Sequence, residues 1–273
     1  MSDSKLRVQL IGDASKLTTS LNTASSKLSA FGKKAKEVGK NLSLKLTLPI
    51  ALAAGAAIKL ASDFDEAINK VDVSFGESSK SVKKFAETTL TQFGIAEGSA
   101  LDMAAMFGDM GTSMGLTQQA AAGMSTSLVG LAGDLASFKN IGIAQATTAL
   151  GGIFTGETES LKKLGIIMTE ATLKQFALNQ GIKTSVKDMS QAAKVSLRYA
   201  YILSVTGNSQ GDYARTLEQA ANQMKTFGQG MKEVGNEIGQ ILLPAFTEIV
   251  KFGNKLIEKF IDLDDKTKKI IVG

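Results

Sequence analysis

LEQAANQMKTFGQGMKEVGNEIGQILLPAF, residues 217–246, sets Leu217, Met224, Met231, Ile238 and Ala245 in one row and Ala220, Phe227, Val234 and Ile241 in another. The rows interleave in steps of three and four. An apolar repeat of this kind argues for a long helix with a two-position heptad seam. Around Leu243-Pro244 the rows restart as Leu242, Ile249, Leu256 and Leu263 beside Phe246, Gly253 and Phe260. From Ile238 to Leu242 is an insertion of four residues, a stutter that relaxes supercoiling locally. The pattern predicts a helix of about 50 residues and about 75 Å, kinked or re-registered near Pro244.

A second seam lies near the N-terminus. Leu17, Leu21, Ala24, Leu28, Phe31, Ala35, Val38 and Leu42 follow the same steps, with Asp13 or Ser15 placed to cap the start and six lysines off the seam. Before it, Leu6, Val8 and Leu10 alternate with polar residues until Gly12-Asp13, which predicts one short β-strand. Two arrangements satisfy a heptad seam: packing on the chain's own domain, or a coiled coil between copies. The sustained 3.5-residue period favours the coiled coil. The predicted association contacts are therefore Leu17, Leu21, Leu28, Phe31 and Val38, then Met224, Phe227 and Ile238.

Between the seams the pattern changes. Residues 49–93 read as two helices, one opened by Pro49 and closed at Phe75-Gly76, the other capped by Ser78 or Ser79 and ending near Phe93-Gly94. From Glu97 to Leu164 the chain is rich in Ala, Gly, Met and Thr, and short helices broken at Gly108, Gly111, Gly115, Gly142 and Gly151-Gly152 are expected. Capping boxes at Ser185 to Asp188 and Ser209 to Asp212 predict two later helix starts. The expected fold is all-α, with long coiled-coil-like helices flanking a Gly/Ala-rich bundle. Its divisions are residues 1–48 (strand and heptad helix), 49–210 (helical core) and 211–273 (kinked heptad helices).

Composition narrows the chemistry. The 273 residues contain no His, Cys or Trp, which removes Cys/His zinc sites, Ser-His and Cys-His nucleophile pairs, and near-neutral acid-base catalysis by imidazole. No cofactor is expected. Charge is blocked: residues 1–48 balance at +6, 49–93 at −1, 94–160 at −5 and 161–273 at +5, which sums to the net +5. The lysines are dispersed along helices without an arginine cluster or aromatic platform, so sequence-specific nucleic-acid binding is not expected. The apolar run Leu46 to Ile58 is too short to span a bilayer, which needs about 20 residues.

Local motifs fare no better as catalytic sites. Gly111-Thr112-Ser113-Met114-Gly115 fits GxSxG, but that elbow needs a preceding strand and a histidine. Ser81 to Lys84 and Ser160 to Lys163 fit SxxK at solvated helix starts. The acid pairs Asp63/Asp65, Glu157/Glu159 and Asp264/Asp265 fit helix-terminus roles better than general acid-base or Mg²⁺ chemistry. GxxxG spacings at 111–115, 152–156 and 235–239 point to close helix packing.

Together the segments Leu6 to Leu17, Ala61 to Ala67 continuing to Gly76, Phe154 to Ile166, Asn208 to Arg215, Leu242 to Phe246 and Asp264 to Lys269 resemble the phage tail tape measure protein family over nearly the whole chain. The resemblance implies a non-enzymatic, multi-copy helical rod in the tail lumen that sets tail length, scaffolds tube assembly and takes part in genome ejection. It implies the virion tail as location, with the host cytoplasm during assembly. Tail tube and tail assembly chaperone proteins are the implied partners beside further copies of the chain, with the host membrane as an ejection partner. One unbroken helix of this length reaches about 410 Å, and Ile270-Ile271-Val272 opens an apolar segment, so the chain is expected to be the N-terminal part of a longer protein or a truncated remnant. The rival expectation is a membrane-active or pore-forming helical protein, drawn from Leu46 to Ile58 and the GxxxG spacings. A cell-wall-degrading enzyme has only family analogy behind it.

Overall fold

The computed structural model describes residues 47–261. The chain divides into two compact units, residues 1–52 and 53–273, and the second holds the core. The predicted N-terminal strand, the heptad helix of residues 13–42 and its contacts Leu17, Leu21, Leu28, Phe31 and Val38 lie outside the described residues, as does Leu263.

The described chain is helical throughout, with no strand among the described residues. Eleven α-helices follow one another: α1 (Thr47–Phe75), α2 (Ser79–Ala86), α3 (Thr89–Phe93), α4 (Glu97–Ser113), α5 (Gln118–Phe138), α6 (Ile143–Thr155), α7 (Glu159–Lys162), α8 (Glu170–Asn179), α9 (Gln191–Val205), α10 (Asp212–Arg215) and α11 (Ala220–Ile261). Side-chain oxygens cap several starts, such as Thr117 on Ala120 N–H for α5 and Ser190 on Ala193 N–H for α9. Thr169 and Thr172 form a reciprocal capping box at α8.

Helix α5 is the centre: every residue from Leu128 to Ala136 is buried. Apart from Asp134 this stretch is apolar on all sides and must be enclosed, and α4, α6, α3 and α10 pack around it. Phe107 of α4 stacks on Phe154 of α6 with ring centroids 5.8 Å apart.

Several of the expected glycine breaks are absent. Gly108 and Gly111 lie inside α4 and Gly151-Gly152 inside α6, while the chain does turn at Gly115 and Gly142. At Gly108 packing accounts for the difference. A Cβ on Gly108 would strike the ring of Phe75 from α1, and one on Gly133 of α5 would come within 2.7 Å of the Phe93 carbonyl oxygen. These glycines are holes for neighbouring side chains and backbone, a gain in contact that outweighs their cost of about 1 kcal/mol each in helix propensity.

Other starts also differ from expectation. The second helix of residues 79–93 is two, α2 and α3, because the Thr88 hydroxyl donates to Phe85 O and the Thr89 hydroxyl to Ala86 O and Ile95 O. Side chains that compete for backbone carbonyls interrupt a helix in this way. Ser185 begins only a 3₁₀ turn, Val186–Asp188. The short α10 is entered through Gly211 in the left-handed region, φ 72°, since the Asp212 carboxylate is taken by the Ser137 hydroxyl at 2.6 Å.

That last contact belongs to a buried polar cluster. The Asp134 carboxylate of α5 accepts from Gly211 N–H at 2.7 Å and Tyr213 N–H at 3.2 Å, and the Asn222 amide of α11 donates to the Ser137 hydroxyl at 2.8 Å. Burial raises the Asp134 carboxyl above its ordinary value, against the two backbone N–H groups that lower it; neighbouring Asp212 raises it further and Arg215 offsets part of that.

Gly108→Ala is expected to lower stability in urea unfolding by about 1–3 kcal/mol, although alanine is the better helix former, and Phe75→Leu in the same chain should return part of the loss. Asp134→Asn, which sets an NH₂ group against a backbone N–H, should cost about 1–3 kcal/mol. Folding tightens the hold of Asp134 on its proton, so its contribution is fullest below the ordinary carboxyl value of 3.8 and falls as pH rises through the raised one. The stability gap between wild type and Asp134→Asn should therefore narrow across that window.

Candidate docking face

Helix α11 carries the only predicted contacts within the described residues, and its orientation decides what they can do. Among its residues 222–240, those buried or half-buried are Asn222, Lys225, Thr226, Gln229, Gly230, Glu233, Gly235, Asn236, Gly239 and Gln240. The helix thus turns its polar and glycine face inward.

The inward side chains meet the unsatisfied ends of core helices. Helix α4 starts at Ala96, which has no side chain to cap it. Gln229 Oε1 accepts from Ala96 N–H at 3.4 Å and Glu233 Oε1 from Glu97 N–H at 3.0 Å. At the opposite kind of end, Lys225 Nζ donates to Ala136 O in the last turn of α5 at 2.9 Å. A carboxylate at a helix start and an ammonium at a helix end are the signs the macrodipole favours. Lys225 is held below its ordinary value by burial. Glu97 is pushed up by burial first, then by Glu87 and Glu233. The Thr226 hydroxyl shares a 2.7 Å hydrogen bond with the Tyr213 phenol.

Further along, α11 meets α1 through small residues. A Cβ on Gly239 would run into the Ala57 carbonyl and lie 2.8 Å from Ala61 Cβ, and one on Gly235 would lie 2.7 Å from Leu60 Cδ1. Ala57 and Ala61 are themselves buried. The 235–239 GxxxG spacing is thus an intramolecular contact. Gln240 extends it, donating to Asp65 Oδ1 at 2.8 Å and Ala61 O at 3.3 Å.

With the inward face committed to caps and close approach, the heptad rows point outward. Met224 is 76% exposed, Phe227 71% and Ile238 47%, and Met231, Val234 and Ile241 share their side of the helix. All three predicted α11 contacts thus lie on one outward apolar stripe. Leu242 and Phe246 are also exposed; from Ile249 the restarted rows run beyond the described side chains. Helix α11 runs 42 residues through Pro244 without interruption, about 63 Å at 1.5 Å per residue.

The tempting motifs have structural employment. Ser113 is the last residue of α4, and the Ser81 hydroxyl donates to Ser78 O. Asp63 is paired with Lys59 at 2.6 Å and Glu159 with Lys162 at 2.6 Å. A cleft of about 470 Å³ between α1, α4 and α11 is lined by carboxylates that include Glu66, Asp102 and Glu237. Lys70 bridges Glu66 at 3.1 Å and Asp102 at 3.4 Å, and those two hold its ammonium above the ordinary value. Among the described residues no group of three or more acidic side chains is arranged to hold a metal ion, and no helix is long and apolar enough to cross a membrane.

Reading the sequence missed the capping partners: Gln229, Glu233 and Lys225 are ordinary polar residues, and nothing local marks Ala96 or Ala136 as their targets. One signal was present, the missing cap before Glu97. No protein-family profile, no curated protein and no solved structure matches the chain.

Proposed function

We propose that this chain is a self-associating structural protein whose copies meet along the outward stripe of α11, and that it works as a tape measure component of a phage tail. The observation that supports self-association is the inverted placement of α11: polar residues face the core and an apolar 3.5-residue repeat faces away from it. A row of large apolar side chains left in water is unfavourable for a monomer, and a heptad seam is matched by another helix with the same seam. Each such side chain contributes about 1.5–3 kcal/mol when fully buried. The exposed flanking positions Ala221 and Gly228 are small, which permits a short distance between helix axes. The rod and length-setting role in the tail lumen, with tail tube and chaperone partners, rests on the resemblance of the motifs.

Light scattering after size exclusion is expected to give an oligomer for the wild type and a folded monomer for Phe227→Glu/Ile238→Glu, with the dissociation constant raised at least about 100-fold, or about 2.7 kcal/mol. A wild-type monomer at high concentration defeats the seam. The membrane-active alternative is separated by vesicle sedimentation: pelleting of the wild type but not of Phe227→Glu/Ile238→Glu favours it. For the ruler role, in-frame deletion of residues 241–261, three heptads beyond the side chains that cap the core helices, in a phage that uses this chain should shorten its tail by about 1.5 Å per residue removed. An unchanged tail length rules the role out.

A further inference from the structure

A cleft of about 1230 Å³ lies among α6 to α9, apart from the α11 stripe, and its wall is cationic. Lys162 of α7, Lys174 of α8, Lys183 and Lys187 of the α8–α9 connection, and Lys194 and Arg198 of α9 all line it. Only two carboxylates share the lining, Glu159 and Glu170, and Glu159 is already bound to Lys162. Among the described residues, Arg198 and the lysines at 174, 183, 187 and 194 have no carboxylate within ion-pair distance.

Arg198 is the anchor. It is half-buried, and its Nη1 donates to Ile153 O at 3.0 Å and Phe154 O at 3.4 Å in the last turn of α6. Gly156, φ 84°, leaves room for the guanidinium: a Cβ there would stand 2.8 Å from Nη2. Burial without a countercharge pulls the guanidinium below its ordinary value, which marks a charge that gains when an anion arrives. A concave wall with a strong excess of one sign also concentrates counterions beyond what scattered surface lysines achieve.

We propose that this cleft binds a phosphate-bearing anion, with Arg198 at its base and Lys187 and Lys194 closing on the phosphate oxygens. Thr184 and Ser185 supply hydroxyl donors, and buried Met168, Leu173 and Ala177 give the lining an apolar portion. No aromatic side chain lines the cleft, so it lacks the stacking platform by which bases are held. The recognised chemistry is therefore the phosphate itself, carried by a free polyphosphate or by a lipid head group. This role goes beyond self-association and does not depend on it.

The test is isothermal titration of the whole chain with inorganic tripolyphosphate at low salt, with sedimentation against phosphatidylglycerol and phosphatidylcholine vesicles. Lys187→Glu/Lys194→Glu should weaken binding at least tenfold. Lys80→Glu/Lys84→Glu, on the exposed face of α2, changes net charge equally and should leave binding unaltered. Should the first variant fail to fold, Lys183→Gln/Lys187→Gln, at two exposed positions, is expected to weaken binding about threefold. Tripolyphosphate binding lost in the cleft variants identifies a soluble anion. Binding confined to phosphatidylglycerol vesicles, and lost in the same variants, identifies a head group. No binding of either probe, or equal weakening by the α2 control, overturns the site.

Discussion

The hydrogen bonds from the polar face of α11 to the open ends of α4 and α5 are what the rest of the arrangement depends on. A buried helix end is expensive unless something supplies its missing partners. Here α4 begins on an alanine and α5 ends beneath a lysine from elsewhere in the chain. Gln229, Glu233 and Lys225 occupy successive turns of one helix face and supply both kinds of partner. Because that face is committed to the core, the apolar rows have nowhere to go but outward. The amphipathic character of α11 is thus reversed relative to an ordinary surface helix, and the reversal follows from capping chemistry.

Close approach is the second constraint. With few aromatics and many glycines and alanines, the core gains contact by bringing helix axes together and setting the rings it has into glycine holes: Phe75 against Gly108, and Phe93 against Gly130 and Gly133. The same device seats α11 on α1 through Gly235, Gly239, Ala57 and Ala61. Interfaces of this kind are specified by shape, and a single methyl in the wrong place is felt as overpacking.

The helical class and the long C-terminal helix were legible from periodicity, because a 3.5-residue apolar repeat survives any tertiary context. So was the identity of the stripe, in Met224, Phe227 and Ile238. What turns the stripe outward was not legible, since the helix ends that Lys225, Gln229 and Glu233 complete lie in distant segments. Gly108 was read as a break because local propensity is all a sequence displays; the Phe75 ring that fills its place comes from a distant segment. The Asp134 cluster escaped notice for a related reason. Its partners at 211–213 are backbone N–H groups, which carry no side-chain signature. The cationic cleft was hidden by dispersal, its six positive residues being spread over α7, α8, α9 and the connection between them.

The anchoring of α11 has a mechanical side. Because its first turns complete the ends of two core helices through directional bonds, this helix cannot swing away as an independent arm: lifting it exposes bare amides of α4 and a carbonyl of α5 together. Tension along its 42 residues is therefore shared among the bonds that Lys225, Gln229 and Glu233 make to two different core helices.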